Sequence, residues 1–339
     1  MTIRAALVLV LVILGMQTIA PAPLKAALLD RCDGGARQIS VLAWPNTDFS
    51  RCTVLLDEIF AGGPGKDGIP AIDDVRIREV EMEKGLTADE PVISLSLNGD
   101  ARAWPLRYLI WHEIANDTLG GIPIAVTYCP LCNAAIVFDR RHQGVVLDFG
   151  TTGNLRHSDL VMYDRQTESW WQQYTGEAII GHYAGDTLTV LASRLESWGE
   201  FRARHPQGTV LVPLNPRERP YGANPYRGYD TSGFPFLYSG EVPADIAPLA
   251  RVVVVDGKAW SLQHLREHGT IRDGDLTLRW APGQRSVLDS RDITRGRRVG
   301  TVTATRGSGD AAADVAYDVT FAFVYHAFNP DGVIIGVDG

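Results

Sequence analysis

Two cysteines stand two residues apart in "VTYCPLCNAAIVFDRR", Val126 to Arg141, and no other pair in the chain is better placed for chemistry. Thiols at that spacing can clamp a metal ion, exchange a disulfide, or form a plain cross-link. The flanking residues narrow the choice. Strand formers precede Cys129, and Ile136, Val137 and Phe138 follow Cys132. A thioredoxin-type pair opens a helix whose N-terminus stabilises the thiolate, and this context argues against that geometry. The pair is expected in the tight connection of a hairpin.

A hairpin bend holding Cys-Pro-x-Cys resembles the knuckle of zinc ribbons and rubredoxins, in which two thiolates grip one metal from the same side. Such a site needs further ligands, and no second Cys-x-x-Cys exists in the chain. His112 in "WHEIAND" and His157 in "NLRHSDLVMYDR" are the candidates to complete it, with His142 and Met162 behind them. Cys129 and Cys132 with His157 or His112 would suit a soft ion, a copper ion or a zinc ion. Two other readings stay open. Arg140 or His157 could lower the pKa of one thiol and make the pair a thiol-disulfide oxidoreductase. The pair could equally be a structural disulfide in a non-catalytic ligand-binding module.

That last reading draws on the stretch Phe149 to Ile179, where Asp159, Tyr163, Asp164, Arg165, Trp170 and Trp171 crowd together. In a strand, Asp159, Val161 and Tyr163 share one face and Leu160, Met162 and Asp164 the other. One expectation is a salt-bridged structural corner. The other is a polar pocket wall with two tryptophans as a platform for a small polar or sugar-like ligand. Asp159 and Glu168 form only a weak carboxylate pair for glycoside chemistry. Neither a Gly-x-Ser-x-Gly elbow nor a His-Glu-x-x-His motif occurs. Enzyme and binding roles both remain open.

The elements that must position these residues are short. "PVISLSLNGDARAW" alternates into an Asn-Gly turn, "PLRYLIWHEIAND" has helical spacing with Pro105 at the first helical position, and "GGIPIAVTYC" returns as a strand. The order recurs in "ARVVVVDGKAWSLQHLREHGTIRDGDLTLRWAPGQ". Ala103-Trp104-Pro105-Leu106 matches Ala259-Trp260-Ser261-Leu262, and Tyr128-Cys129-Pro130 matches Trp280-Ala281-Pro282. The fold expected is therefore α+β and β-rich, with two related β-sheet halves from a diverged internal duplication, short helices and long loops. The second half has Ala281 and Gln284 where the first has Cys129 and Cys132, so the pair reads as specific to the first half's task. The Gly- and Pro-dense loop Gly62 to Asp73 reads as shaped. It lacks the Gly-Lys-Ser/Thr ending of a phosphate loop. The aperiodic segment "PLNPRERPYGANPYRGYDTSGFPF" is either packed down by its aromatics or a mobile cover.

At the N-terminus, one Arg precedes an apolar run from Ala5 to Leu14. This run is short for a membrane span and fits a signal peptide, or an N-terminal anchor, over residues 1–27. The first half is expected over 28–240 and the second over 241–339, with no membrane span in the mature protein and a periplasmic or secreted location. Export favours disulfides, and spacing pairs Cys32 with Cys52 as a staple. A net charge of -8 speaks against a nucleic-acid partner, and no other partner class is singled out.

Four blocks, "GGPGKDGIPAID", "WHEIAND...GG...VTYCPLCNAAIVFDR", "FGTTGNLRHSDLVMYDRQTESWWQQ" and "HAFNPD", together resemble the exported bacterial and archaeal family known as domain of unknown function 3179. The resemblance runs from about Ala43 to Asp331. It implies no reaction. It implies that Cys129, Pro130, Cys132, Asp139, Arg140, Gly150, Gly153, Ser158, Asp159, Tyr163, Asp164, Arg165 and Trp170 belong to the family's core motif. Asn329 departs from that pattern, in which a His is expected.

Overall fold

Asn98 and Gly99 take φ of 52° and 90°, and Asp256 and Gly257 take 47° and 76°. A two-residue hairpin turn needs this left-handed backbone, which Asn, Asp and Gly supply most readily. One turn joins antiparallel strands Pro91–Leu97 and Asp100–Pro105, the other Arg251–Val255 and Lys258–Ser261. Trp104 lies opposite Ile93 in the first pair, and Trp260 opposite Val253 in the second. Each pair runs straight into a seven-residue helix, Leu106–His112 or Leu262–His268. Helices this short are unstable alone. Burial of Leu106, Leu109 and Ile110 on one face holds the first in place.

Both segments then continue alike. Strands Ile114–Leu119, Ile122–Cys129 and Ala134–Asp139 follow the first helix, and strands Thr270–Asp273, Leu276–Ala281 and Thr301–Arg306 follow the second. Strand Arg194–Ser197 adds antiparallel to Pro91–Leu97 and leads into helix Trp198–Arg204. Strand Asp318–Phe321 does the same beside Arg251–Val255 and leads into helix Ala322–Phe328. Ser197 caps its helix reciprocally with Glu200.

This computed structural model describes Cys32 and residues 41–337. The expected signal segment, residues 1–27, lies outside the described residues. Among those described, the protein is β-rich, with four short α-helices and five sheets of four or five strands in a propeller-like arrangement. No described helix is long and apolar enough to cross a membrane. Cys32 and Cys52 form a disulfide with a Cα–Cα distance of 5.5 Å, as their spacing suggested.

One large apolar cluster contains Trp104, Phe138 and Trp171 together with Trp260 and Phe321. Packing therefore crosses the expected boundary at residue 240. Strand Asp318–Phe321 reaches the cysteine turn itself: Phe321 N and Thr320 Oγ1 donate to Cys132 O at 3.2 and 2.8 Å.

Candidate functional site

Cys129 ends the strand Ile122–Cys129 and lies opposite Ala134 of the antiparallel strand Ala134–Asp139, so Pro130 to Asn133 form the connection. Cys132 N donates to Cys129 O at 3.3 Å, which turns both side chains to one side. Both thiols are free and buried. They meet a second tight turn, between strands Phe149–Arg156 and Asp159–Asp164. His157 and Ser158 there have φ of 55° and 65°. Neither is the Asn or Gly that such a backbone favours. The conformation sets the Ser158 carbonyl 3.8 Å from Cys129 Sγ and 3.5 Å from Cys132 Sγ.

Asp159, the next residue, completes the group. One of its carboxylate oxygens and the two sulfurs all lie within 4.8 Å of one another. Its Oδ1 accepts from Gln172 Nε2 at 2.6 Å and from Tyr174 N at 2.9 Å. Its Oδ2 is buried and meets no nitrogen or hydroxyl donor, only the two thiols. A buried carboxylate with such weak donors is costly unless something positive joins it. Burial pushes the Asp159 carboxyl up to about 6, against the pull of hydrogen bonds from Gln172, Tyr174 N, Cys132 and Cys129. Burial also raises the Cys129 thiol, and raises Cys132 well above its ordinary value.

Two more acids stand around this trio. Glu113 closes the helix Leu106–His112 with φ 59°, and burial followed by the charge of Asp159 lifts its carboxyl to about 8. Asp318 accepts from Ala135 N at 3.1 Å and Val319 N at 2.9 Å, while its Oδ2 is buried without a partner. Burial lifts it to about 7. The largest influences on Cys129, Cys132, Asp159 and Glu113 include no Lys, Arg or His. The buried Arg251, which acts on the neighbouring Tyr128, is paired with Asp230 at 3.1 Å.

The histidines expected as ligands stand elsewhere. His112 has both ring nitrogens engaged, Nδ1 with Pro70 O at 2.8 Å and Nε2 with Tyr221 OH at 2.7 Å. His157 turns its Nε2 toward Glu58 at 3.6 Å and its ring edge onto Phe328. His142 binds Asp186 at 3.1 Å, and Met162 is fully buried opposite Trp171. The one cluster of three or more His, Cys, Asp or Glu donors among the described residues is Cys129, Cys132 and Asp159. Asp159, and neither His157 nor His112, is the residue whose donor atom lies with the two sulfurs. The turn that carries His157 points the carbonyl of Ser158, and not the imidazole, at the sulfurs.

Of the six residues read as a pocket wall, Arg165 is exposed and the other five are buried. Trp170 and Trp171 are fully buried, and Trp171 Nε1 donates to Asp164 Oδ2 at 2.9 Å. Tyr163 OH donates to Asp67 Oδ2 at 2.5 Å, and Arg165 pairs with Asp73 at 2.8 Å. Trp44 packs edge-on against both Tyr163 and Trp170. Lys66 lies over the rings of Trp44 and Tyr163 and pairs with Glu168 at 2.7 Å. This is the structural corner, tied down by the shaped loop that holds Lys66, Asp67 and Asp73. That loop passes so close to Gly153 that a Cβ there would collide with Pro64 O. Two clefts, of about 770 and 540 Å³, are lined elsewhere, by His264, Arg266 and Arg297 and by Arg107, Tyr221 and Arg291.

The aperiodic segment between the halves packs over the site. Ala223 O accepts from Trp111 Nε1 at 3.1 Å, Tyr229 OH donates to Leu131 O at 2.9 Å, and Phe236 O accepts from Ser158 Oγ at 2.7 Å. Of the two alternatives left open for it, the packed one describes this arrangement.

A buried dithiol-carboxylate centre on a β-rich scaffold is the class of site that these elements define. The chain belongs to the family described as protein of unknown function (DUF3179), whose match extends over residues 66–332. None of the curated proteins matches it, and neither does any solved structure. Sequence reasoning missed Glu113 and Asp318, and had Ser158 only as a residue of the family's core motif, without a role for its carbonyl. Glu113 carried a signal, because the aligned position in the second segment is Gly269. Asp318 carried none, because nothing local tells which strand comes to lie beside Ala135.

Proposed function

We propose that Cys129, Cys132 and Asp159 hold one transition-metal ion. The observation that carries this reading is a fully buried group of two thiols and the Asp159 carboxylate within 4.8 Å of one another, in which Oδ2 of Asp159 meets no donor other than those weak thiols. Every member of the group is driven toward its neutral form by burial. A cation supplies the missing charge, and the spacing suits an ion bonded at about 2.3 Å to sulfur and about 2.1 Å to oxygen. A carboxylate in place of imidazole or thioether moves the preference from copper(I) toward zinc.

The disulfide Cys32–Cys52 supports export to an oxidising compartment. Two neighbouring free thiols persist in such a compartment when an ion occupies them. Thiol-disulfide exchange needs an accessible thiolate of low pKa. Burial gives Cys129 and Cys132 the opposite character, which favours the metal reading. We also read the shared order of elements in the two segments as the remnant of a duplication, supported by the Trp104 and Trp260 registers.

The test is the metal content of purified protein alongside a count of free thiols. One zinc per chain is expected, lost in Cys129→Ser and in Asp159→Asn. Loading releases protons, so affinity rises with pH by roughly tenfold per unit for each proton displaced. A metal-free protein that takes up neither zinc nor copper(I) overturns the proposal.

A further inference from the structure

The second half has a cleft of its own, about 770 Å³ in volume, beside the helix Leu262–His268. Arg251, His264 and Arg266 line it. Counted from the register pairs Ile93–Trp104 and Val253–Trp260, they stand where the first half has Pro91, Tyr108 and Ile110. The helix of the first half is covered: Tyr221 packs edge-on against Tyr108 at 5.1 Å, and Ala223 O accepts from Trp111 Nε1 at 3.1 Å. Tyr108 and Ile110 are buried as a result. On the second helix Arg266 is exposed, and its side chain has no ion pair or hydrogen bond among the described residues. Arg251 is only 8% exposed, and its Nη2 donates to Asp230 Oδ2 at 3.1 Å and to Ser286 Oγ at 2.9 Å. A guanidinium carries five donors, so a buried one bonded through a single nitrogen keeps capacity for a further acceptor. Arg297 and Arg298 complete the basic wall. Arg297 shares Asp230 with Arg251, at 3.2 Å, and Arg298 shares Asp89 with Arg285, at 3.5 Å, so each carboxylate stands between two guanidinium groups. The acids on the lining are Asp245 and Glu267, and Glu267 accepts from Gln263 Nε2 at 3.0 Å. Four arginines against two acids make a positive cleft on a chain whose net charge is -8. Such a cleft concentrates ligands of the opposite sign.

We propose that this cleft binds a small organic molecule through a doubly charged oxyanion, a phosphate ester or a dicarboxylate. Guanidinium groups present flat, paired donors that match such oxygens, and they give up water more readily than an ammonium does. The excess of two arginines over the acids of the lining is matched by a dianion and only half matched by a single charge. His264 and His268 stack at 4.2 Å on the same wall and add imidazole nitrogens. Ile246, Leu262 and Val299, all partly buried, offer an apolar surface for the body of the ligand. The volume falls within the range of small-molecule sites. Binding here needs no ion at the cysteine turn, so the inference goes beyond the metal reading and does not depend on it. The two halves then divide the chemistry, with thiols in the first and guanidinium groups in the second.

The test is calorimetry on the purified full chain with phenyl phosphate and with phthalate, each an apolar ring carrying a doubly charged group, and with phenyl sulfate, which carries one charge. Saturable binding of phenyl phosphate or phthalate is expected, weakened by added salt. The tighter of the two tells which oxyanion the cleft takes. Combining Arg266→Gln with Arg298→Gln should weaken that binding by roughly tenfold or more, at an unchanged melting temperature. Arg266→Gln alone breaks no described bond, and its weaker binding keeps the test valid if the double variant is destabilised. Arg291→Gln with Arg295→Gln, in the cleft of about 540 Å³, should leave binding unchanged. Absence of saturable binding by either dianion overturns the proposal, as does phenyl sulfate binding as tightly as both. Wild-type affinity in the Arg266 and Arg298 variants, or loss of binding confined to the Arg291 and Arg295 variant, places the ligand elsewhere and also overturns it.

Discussion

Asp159, Asp318 and Glu113 share one cause for their behaviour: burial raises each carboxyl, to about 6, 7 and 8. The unfolded chain releases the same protons near 3.8 for Asp and 4.5 for Glu. Because the folded state binds these protons more tightly, the stability they support is full below pH about 4. It is lost as pH rises through the folded values toward about 8. Metal-free protein should therefore unfold at lower urea concentration at pH 8 than at pH 5. Asp318→Asn removes one of the three contributions without touching a proposed ligand. Its urea midpoints in chelator should differ less between the two pH values than those of the wild type; an equal or larger difference would count against Asp318 being a buried, raised acid. At this scale the sequence was partly legible. Cys129 and Cys132 announced themselves by spacing, and Asp159 was visible as a strand residue whose burial would need partners. That its partners are the sulfurs depends on how two turns about thirty residues apart meet, which local pattern does not encode.

The turn His157-Ser158 is the element on which the site's geometry depends. Two consecutive left-handed residues that are neither Asn nor Gly hold a strained backbone, and their reward is the placement of Ser158 O and Asp159. His157→Gly should relieve part of the strain, leaving the melting temperature equal to or above that of the wild type and the metal content unchanged. Loss of metal in this variant would return His157 to the ligand set. The neighbouring strand Asp159–Asp164 is buried at every residue, because sheet neighbours and core cover both of its faces. Alternation sorted these residues between two faces, but it could not tell that both faces are covered. Trp171→Phe removes one of two donors to the buried Asp164 Oδ2, which keeps Thr167 Oγ1 at 3.0 Å. A loss of about 0.5–1.5 kcal/mol in chemical denaturation is expected, with no change in metal binding. A stability equal to the wild type would argue against the packed corner. The Asn98-Gly99 and Asp256-Gly257 turns and the short helices after them were readable, since turn chemistry and helical spacing are local.

Across the whole molecule, the cysteine turn is built from the first half and braced by the second. Thr320 Oγ1 and Phe321 N both bond Cys132 O, Asn133 Nδ2 donates to Val319 O, and Asp318 accepts from Ala135 N. A fragment ending at residue 240 would leave these groups and the apolar face beneath them without partners. It should be degraded by trypsin under conditions in which the full chain resists; a protease-resistant, cooperatively melting fragment would show that the first half folds alone. The match of element order between the segments could be seen in the sequence, but this brace could not, because it joins residues 186 and 188 positions apart. Its order in time follows from its order in the chain. Synthesis begins at the N-terminus, so both thiols exist, close together and unshielded, well before the strand that finishes their enclosure has been made. The interval between residue 132 and residue 321 is thus the moment at which an ion can enter freely and at which an oxidant can do the same. Once that strand has paired, Cys132 O is bonded and both sulfurs are buried, so any reagent reaches them more slowly than in the nascent chain.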